Sequence, residues 1–172
     1  MLHEVRLKRG KERKITRFYP WAQKGECQAE GLEDGQTARL VDADGKFLAT
    51  GTWNSQSRFQ FRVFSLTEEP LDEAFFLRRF QTAVSRRQAL GFQGKDGPLA
   101  STDACRIVSS EADQVPGLVV DQYGPFLIVQ VRSLGVERLR DQWLGPLIEA
   151  TGCQGVMERS EMAGREEEGL GP

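Results

Sequence analysis

Residues 36–65 read QTARLVDADGKFLATGTWNSQSRFQFRVFS, and this stretch decides the fold. Apolar and polar residues alternate on both sides of Asp44-Gly45, a pair that supplies the positive φ angles a tight hairpin turn demands. The first two strands are therefore expected to be antiparallel neighbours. In the second, Phe47, Ala49, Gly51 and Trp53 fall on one face; in the third, Phe59, Phe61 and Val63 alternate with Arg58, Gln60 and Arg62. One face is core and the other wet, so Arg58, Gln60 and Arg62 should project together as a positive surface. With a leading strand near residues 4–8, the pattern predicts a small curved sheet or partial β-barrel over about the first 65–70 residues.

Working outward, a boundary falls near Pro70. Asp72 stands where an N-cap belongs, and Phe76, Phe80, Ala83 and Val84 follow at helical spacing, with Gly91 placed to end a helix over residues 73–90. Residues 92–102 have neither period and read as a loop. Short β-type runs follow at 106–109, 117–121 and 126–131, the last two joined by a turn over 121–125. Val136, Leu139, Trp143, Leu147 and Ile148 make a helical stripe that Pro146 should kink or shorten, and 155–158 reads as a further strand. The class is α+β: a small N-terminal β-barrel (1–70) followed by a mixed α/β unit (71–172). The polar, glycine-rich ending REEEGLGP is poorly suited to closing a core.

At 172 residues and 39% hydrophobic content the chain can bury one good core or two small ones. No apolar run approaches the roughly 20 residues that cross a bilayer, and the start lacks an apolar signal core, so a soluble, cytoplasmic protein without membrane contact is expected. Cys27, Cys105 and Cys153 are odd in number and lack CxxC spacing, which argues against a disulfide framework and against zinc. One histidine, His3, cannot supply a histidine metal site or a Ser-His-Asp triad. No GxGxxG or GxxxxGK[ST] loop is present, so nucleotide-type cofactors have no visible site. Glu111, Asp113 and Asp121 could serve as acid and base or hold a hard cation, but turn chemistry accounts for them more simply. Arg159, Ser160 and Arg165 gather near a strand end, where they either contact a ligand or, through Ser160, cap a helix.

The net charge of −2 hides an asymmetry. Residues 1–24 carry eight Lys and Arg against Glu4 and Glu12, a net +6, whereas residues 158–168 carry five Glu against Arg159 and Arg165, a net −3. Clustered cations neutralise phosphates and release counterions, and Phe18, Tyr19 and Trp21 beside them offer faces for unstacked bases. Taken alone, the same run also reads as a solvated charged face.

Four ordered segments carry a resemblance. They are KRGKERKITRFYPWAQKGE with its Pro20-Trp21 corner, and DADGKFLATGTWNSQSRFQFRVFS with Gly51, Asn54, Ser57 and Arg62. Then come RIVSSEADQVPGLVVDQYGPFLIVQ with Arg106, Glu111, Asp113, Pro116, Gly117, Leu118, Asp121 and Tyr123, and finally ERSEMAGREEEGL. Together they resemble the S-adenosylmethionine-dependent ribosomal RNA methyltransferases that place a PUA domain before a middle domain and a Rossmann-like catalytic domain and act on cytosine at carbon five. Tyr19 stands where that family usually has His, and Phe59 takes an aliphatic position.

The resemblance implies a PUA-like RNA-binding unit at 1–70 and the family's middle unit at 71–172. It implies no Rossmann-like catalytic domain, catalytic residue or cofactor site in this chain, S-adenosylmethionine belonging to the full-length family. The implied partner is large-subunit ribosomal RNA. Lys8, Arg9, Lys11, Arg13, Lys14 and Arg17 would grip phosphates, with Trp21, Arg58 and Arg62 extending the surface. Two alternatives stay open: a stand-alone RNA-binding adaptor, and a protein-interaction module whose acidic tail docks a partner or a second copy.

Overall fold

The computed structural model describes residues 3–161 and 164–171. Strands β1 (His3–Leu7), β2 (Trp21–Ala22), β3 (Cys27–Ala29), β4 (Thr37–Val41), β5 (Phe47–Trp53) and β6 (Phe61–Ser65) form one sheet in the order β2-β6-β5-β4-β1-β3. Its two edges, β2 and β3, are joined by a short turn closed by the Glu26 N–H on the Gln23 carbonyl, so the sheet curls until it nearly closes. The meander β4-β5-β6 is antiparallel as its alternation requires, while β1 inserts parallel to β4. Val5, Leu7, Ala38, Leu40, Ala49 and Phe61 fill the interior with no exposed surface.

The hairpin turn is longer than the Asp44-Gly45 signal implies. Only Gly45 has a positive φ (+88°); the Asp42 carboxylate accepts from the N–H groups of Asp44 and Lys46, both at 2.9 Å, and a bulge follows at Leu40/Val41.

The third strand also departs from the alternation. Residues 54–60 are looped, because Asn54 Oδ1 and Ser57 Oγ accept from the N–H groups of Gln56 (3.1 Å) and Phe59 (3.0 Å), and pairing starts only at Phe61. Gln60 is consequently buried, bonded to Gly25 and Ser55, and Arg62 is held by carboxylates. Arg58 alone of the three is exposed.

In the second half, α2 (Glu73–Ala89) is capped at Asp72, whose Oδ1 accepts from the Phe75 N–H at 2.9 Å, and it buries Phe75, Phe76, Phe80 and Ala83. Strands β7 (Ala104–Ser109), β8 (Leu118–Tyr123), β9 (Phe126–Val131) and β10 (Gly155–Glu158) form a second sheet in the order β10-β9-β8-β7. The expected single helix is two, α3 (Leu134–Arg138) and α4 (Arg140–Thr151). The break lies at Leu139, because the Trp143 indole N–H takes the Val136 carbonyl at 2.8 Å; Pro146 sits buried inside α4 without ending it.

Acidic residues read as turn formers instead hold arginines. Asp113 is buried, accepting from Nη1 and Nη2 of Arg87 at 2.6 Å each and from the Ser109 N–H at 2.8 Å. Burial pushes its carboxyl up, but Arg87, the Ser109 N–H and Arg86 together bring it below the usual carboxylate range. Asp121 lies within β8 and accepts from Arg106 at 2.8 and 2.9 Å. Among the described residues the Ser160 hydroxyl donates to Glu158 and accepts from the Val131 N–H, and the first turn of any helix it would cap falls on residues 162 and 163, outside the described residues.

Two apolar cores result, and the halves touch through Phe64 of β6, which packs on Phe75 and Phe76. The acidic ending is folded back, with Glu168 and Leu170 both buried.

Candidate nucleic-acid interface

Helix α1 (Glu12–Thr16) is anchored by Ile15, which points into the barrel core and is fully buried, leaving the neighbouring basic side chains outside. The helix ends in a left-handed turn at Phe18 (φ +64°), where the Phe18 and Tyr19 N–H groups bond the Ile15 and Lys14 carbonyls. That turn leaves Phe18 62% exposed and Tyr19 38% exposed at the edge of an open hollow lined by Gly10, Lys11, Arg13, Lys14 and Arg17.

The basic residues expected to face RNA divide by their partners. Lys8, Arg13 and Arg17 have no carboxylate within ion-pairing distance among the described residues. Arg9 reaches Asp44 at 2.7 Å on an exposed surface, a pairing of little energetic weight. Lys11 and Lys14 converge on Glu26. Burial raises the Glu26 carboxyl, yet the Lys14 ammonium, the Gln23 N–H and Lys11 bring it below its ordinary range. Trp21 lends its indole N–H to Glu111 at 3.0 Å.

Arg62 sits at the join between the halves. Its Nη2 donates to Glu168 at 2.6 Å and its Nη1 lies 3.5 Å from Glu111, while Nε is buried without a hydrogen-bond partner among the described residues. Ser57 donates to the Glu168 carboxylate and Asn54 Nδ2 to the Glu168 backbone carbonyl at 2.9 Å, so this residue clamps the segment around it to the first sheet. Arg62 therefore holds the fold together at this join.

A row of rings runs from α1 to that join. Lys14 Nζ lies 5.0 Å from the Tyr19 ring, Tyr19 meets Trp21 edge-on at 5.5 Å, and Trp21 stacks on Phe59 at 4.5 Å. Arg58 and Arg62 lie over Phe59 at 5.7 and 5.3 Å. Beyond the row opens a cleft of about 340 Å³ between the two halves, with Trp21, Phe59 and Arg58 on one wall and Arg132 and Arg165 on the other. Sequence reading missed Arg132, which stands alone after β9, and grouped Arg165 with Arg159, which faces the opposite side of the second sheet beside Tyr123 and Met157.

Residues 5–66 match the model of a PUA-like domain. The chain is 35% identical over 167 residues to the Ribosomal RNA large subunit methyltransferase I of Salmonella arizonae, covering 95% of this chain and 40% of that protein. It is 34% identical over 178 residues to the protein of the same name from Shewanella denitrificans, covering 100% and 43%. A Streptococcus mutans chain assigned as a SAM-dependent methyltransferase superposes with a TM-score of 0.78 at 20% identity, over 92% of this chain and 41% of that one, a likeness of fold. The chain is thus homologous to these ribosomal RNA methyltransferases and spans about two fifths of their length. Among the described residues, no helix is long and apolar enough to cross a membrane.

Proposed function

We propose that this chain is the RNA-binding and substrate-positioning part of a methyltransferase that modifies cytosine at carbon five in large-subunit ribosomal RNA, acting in the cytoplasm. Residues 1–70 form its PUA-like RNA-binding unit and 71–172 the adjoining middle unit. The observation that carries the reading is the cation set Lys8, Arg13 and Arg17, without a carboxylate partner among the described residues, in the same N-terminal region as the exposed rings of Phe18 and Tyr19 and within a segment that matches a PUA-like domain. Unneutralised cations bind phosphates by releasing counterions, and flanking rings stack unpaired bases in a sequence-tolerant way. Positioning matters because a base must leave its stack before chemistry can reach it.

In such enzymes S-adenosylmethionine supplies the methyl group. The described residues do not fit it: the cleft sets Arg58, Arg62, Arg132 and Arg165 against Glu111, Glu167 and Glu168, an excess of positive charge that opposes a sulfonium, and among the described residues no glycine-rich loop leads from a strand into a helix. The role of this chain's own residues is to bind and orient RNA, and none of them is assigned as catalytic.

The test is binding of a fluorescein-labelled single-stranded RNA, followed by anisotropy across a salt series. Removing three phosphate contacts in Lys8→Ala/Arg13→Ala/Arg17→Ala should weaken binding at least about tenfold and flatten the salt dependence by about 2 in slope. Unchanged affinity, or binding that ignores salt, overturns the reading. Sizing with and without RNA separates this function from a self-associating interaction module.

A further inference from the structure

We infer that the cleft between the two sheets holds one nucleotide of single-stranded RNA, its phosphate taken by Arg58 and Arg132 with the charge of Arg165 behind them and its base side turned toward Trp21 and Phe59. This deepens the RNA-binding reading above and rests on it.

The first argument is where positive charge is left unneutralised. Most arginines of this protein pair with a carboxylate; Arg6, Arg39, Arg78, Arg87, Arg106 and Arg140 are examples. Of those that have no carboxylate within 4.0 Å among the described residues, Arg13 and Arg17 belong to the α1 surface, and Arg58, Arg132 and Arg165 line the cleft. Arg79 and Arg159, in the same class, do not line the cleft; Arg165 does, but it already donates Nε to the Gly171 carbonyl at 3.0 Å and Nη1 to the Val131 carbonyl, so it brings its charge and keeps only Nη2 for a further bond. The three cleft arginines come from separate parts of the chain: the loop before β6, the end of β9 and the segment leading to Glu168. Three separate segments turn toward one concavity, and each brings a guanidinium without a counterion, the side chain best matched to a phosphate. Glu111 and Glu168, which also line the cleft, are occupied by Arg62; Glu167 is the one carboxylate there with no cation of its own among the described residues.

The second argument is continuity. The cleft is joined to the α1 cations by the row Tyr19, Trp21 and Phe59. Cations, rings, then cations again is the arrangement that tracks a single strand, backbone on the charges and bases against the rings. An isolated anion site would not need the row. The cleft's volume of about 340 Å³ also lies within the range of small-ligand sites, roughly 300–1,000 Å³.

The experiment uses the full chain, fluorescein-labelled oligouridine and a salt series. Arg58→Ala/Arg132→Ala is the informative variant, since both residues are exposed and neither side chain hydrogen-bonds a neighbour among the described residues. Affinity should fall about tenfold or more, with the salt slope reduced by about 1.4, two contacts' worth for a single strand. Arg58→Lys/Arg132→Lys should keep the slope. If the alanine variant binds oligouridine as the parent does while the α1 triple variant is impaired, the cleft inference falls and the RNA-binding reading stands. If both variants bind like the parent, both fall.

Discussion

The indole N–H of Trp21 donates to the Glu111 carboxylate at 3.0 Å across 90 residues of sequence, and the same carboxylate lies 3.5 Å from Arg62. Trp21 of the barrel edge and the mostly buried Arg62 of β6 thus share one acceptor supplied by the second half. Trp21→Phe keeps the stack on Phe59 but removes this donor. It should cost about 1 kcal/mol, the usual net worth of such a bond, read as a lower urea midpoint with an unchanged m-value. An unchanged midpoint would mean that the contact contributes nothing.

Glu168→Ala should be far more damaging. It leaves Arg62, only 11% exposed, with Glu111 alone, and it removes the acceptor of the Ser57 hydroxyl, while Asn54 keeps its bond to the residue-168 backbone carbonyl. Breaking a buried pair by deleting one partner costs about 3–5 kcal/mol. Denaturant unfolding of Glu168→Ala and Arg62→Met/Glu168→Leu would check this, the double variant being expected to recover much of the loss because no charge is left stranded.

Acid should loosen the second half through Asp113. Its folded carboxyl lies below its ordinary value, so its pairing with Arg87 adds stability above the unfolded pKa, and that stability drains away as pH falls through the folded pKa. Melting temperatures from pH 7 to pH 3 should therefore drop more steeply for the parent than for Asp113→Asn, which starts lower at pH 7 by about 3 kcal/mol. Parallel curves would sink the assignment.

Thiol chemistry gives a simple check of burial. Cys27 is 4% exposed, and burial followed by the neighbouring Glu26 pushes its thiol up to about 12. Alkylation of the native protein at pH 8 should mark the half-buried Cys153 and spare Cys27, as read by peptide mass spectrometry.

Gly51 sets a steric limit. A Cβ there would run into the Arg62 carbonyl oxygen, far inside van der Waals contact, and would meet the Phe61 ring at 2.6 Å. The nearest obstacle is backbone of the paired strand, so no rotamer change relieves it. Gly51→Ala should lose about 3 kcal/mol or fail to fold, and circular dichroism melts would show it.

The parts legible in the sequence are those governed by neighbours along the chain. The β4-β5-β6 meander, the Asp72 cap and the helix behind it follow from local period and local hydrogen bonding. What escaped depends on distant partners. The helix break at Leu139 is set by where the Trp143 indole reaches, and Pro146 was the louder but weaker signal. Arg58, Gln60 and Arg62 look equivalent by alternation, yet the Asn54 and Ser57 loop and the two carboxylates give them three different fates. The basic run was visible as charge, but not which of its cations Glu26 and Asp44 take up. Arg132 and Arg165 gain meaning only when the two sheets meet.

The clamp on Arg62 also has a consequence in time. Glu168 follows Arg62 by 106 residues, so at about 5–20 residues per second a ribosome needs roughly 5–20 s to deliver it. Throughout that interval the emerging barrel carries a cation at its seam without its main counterion. The first half of this protein is thus made early and finished late, and its seam closes only once Glu168 has emerged.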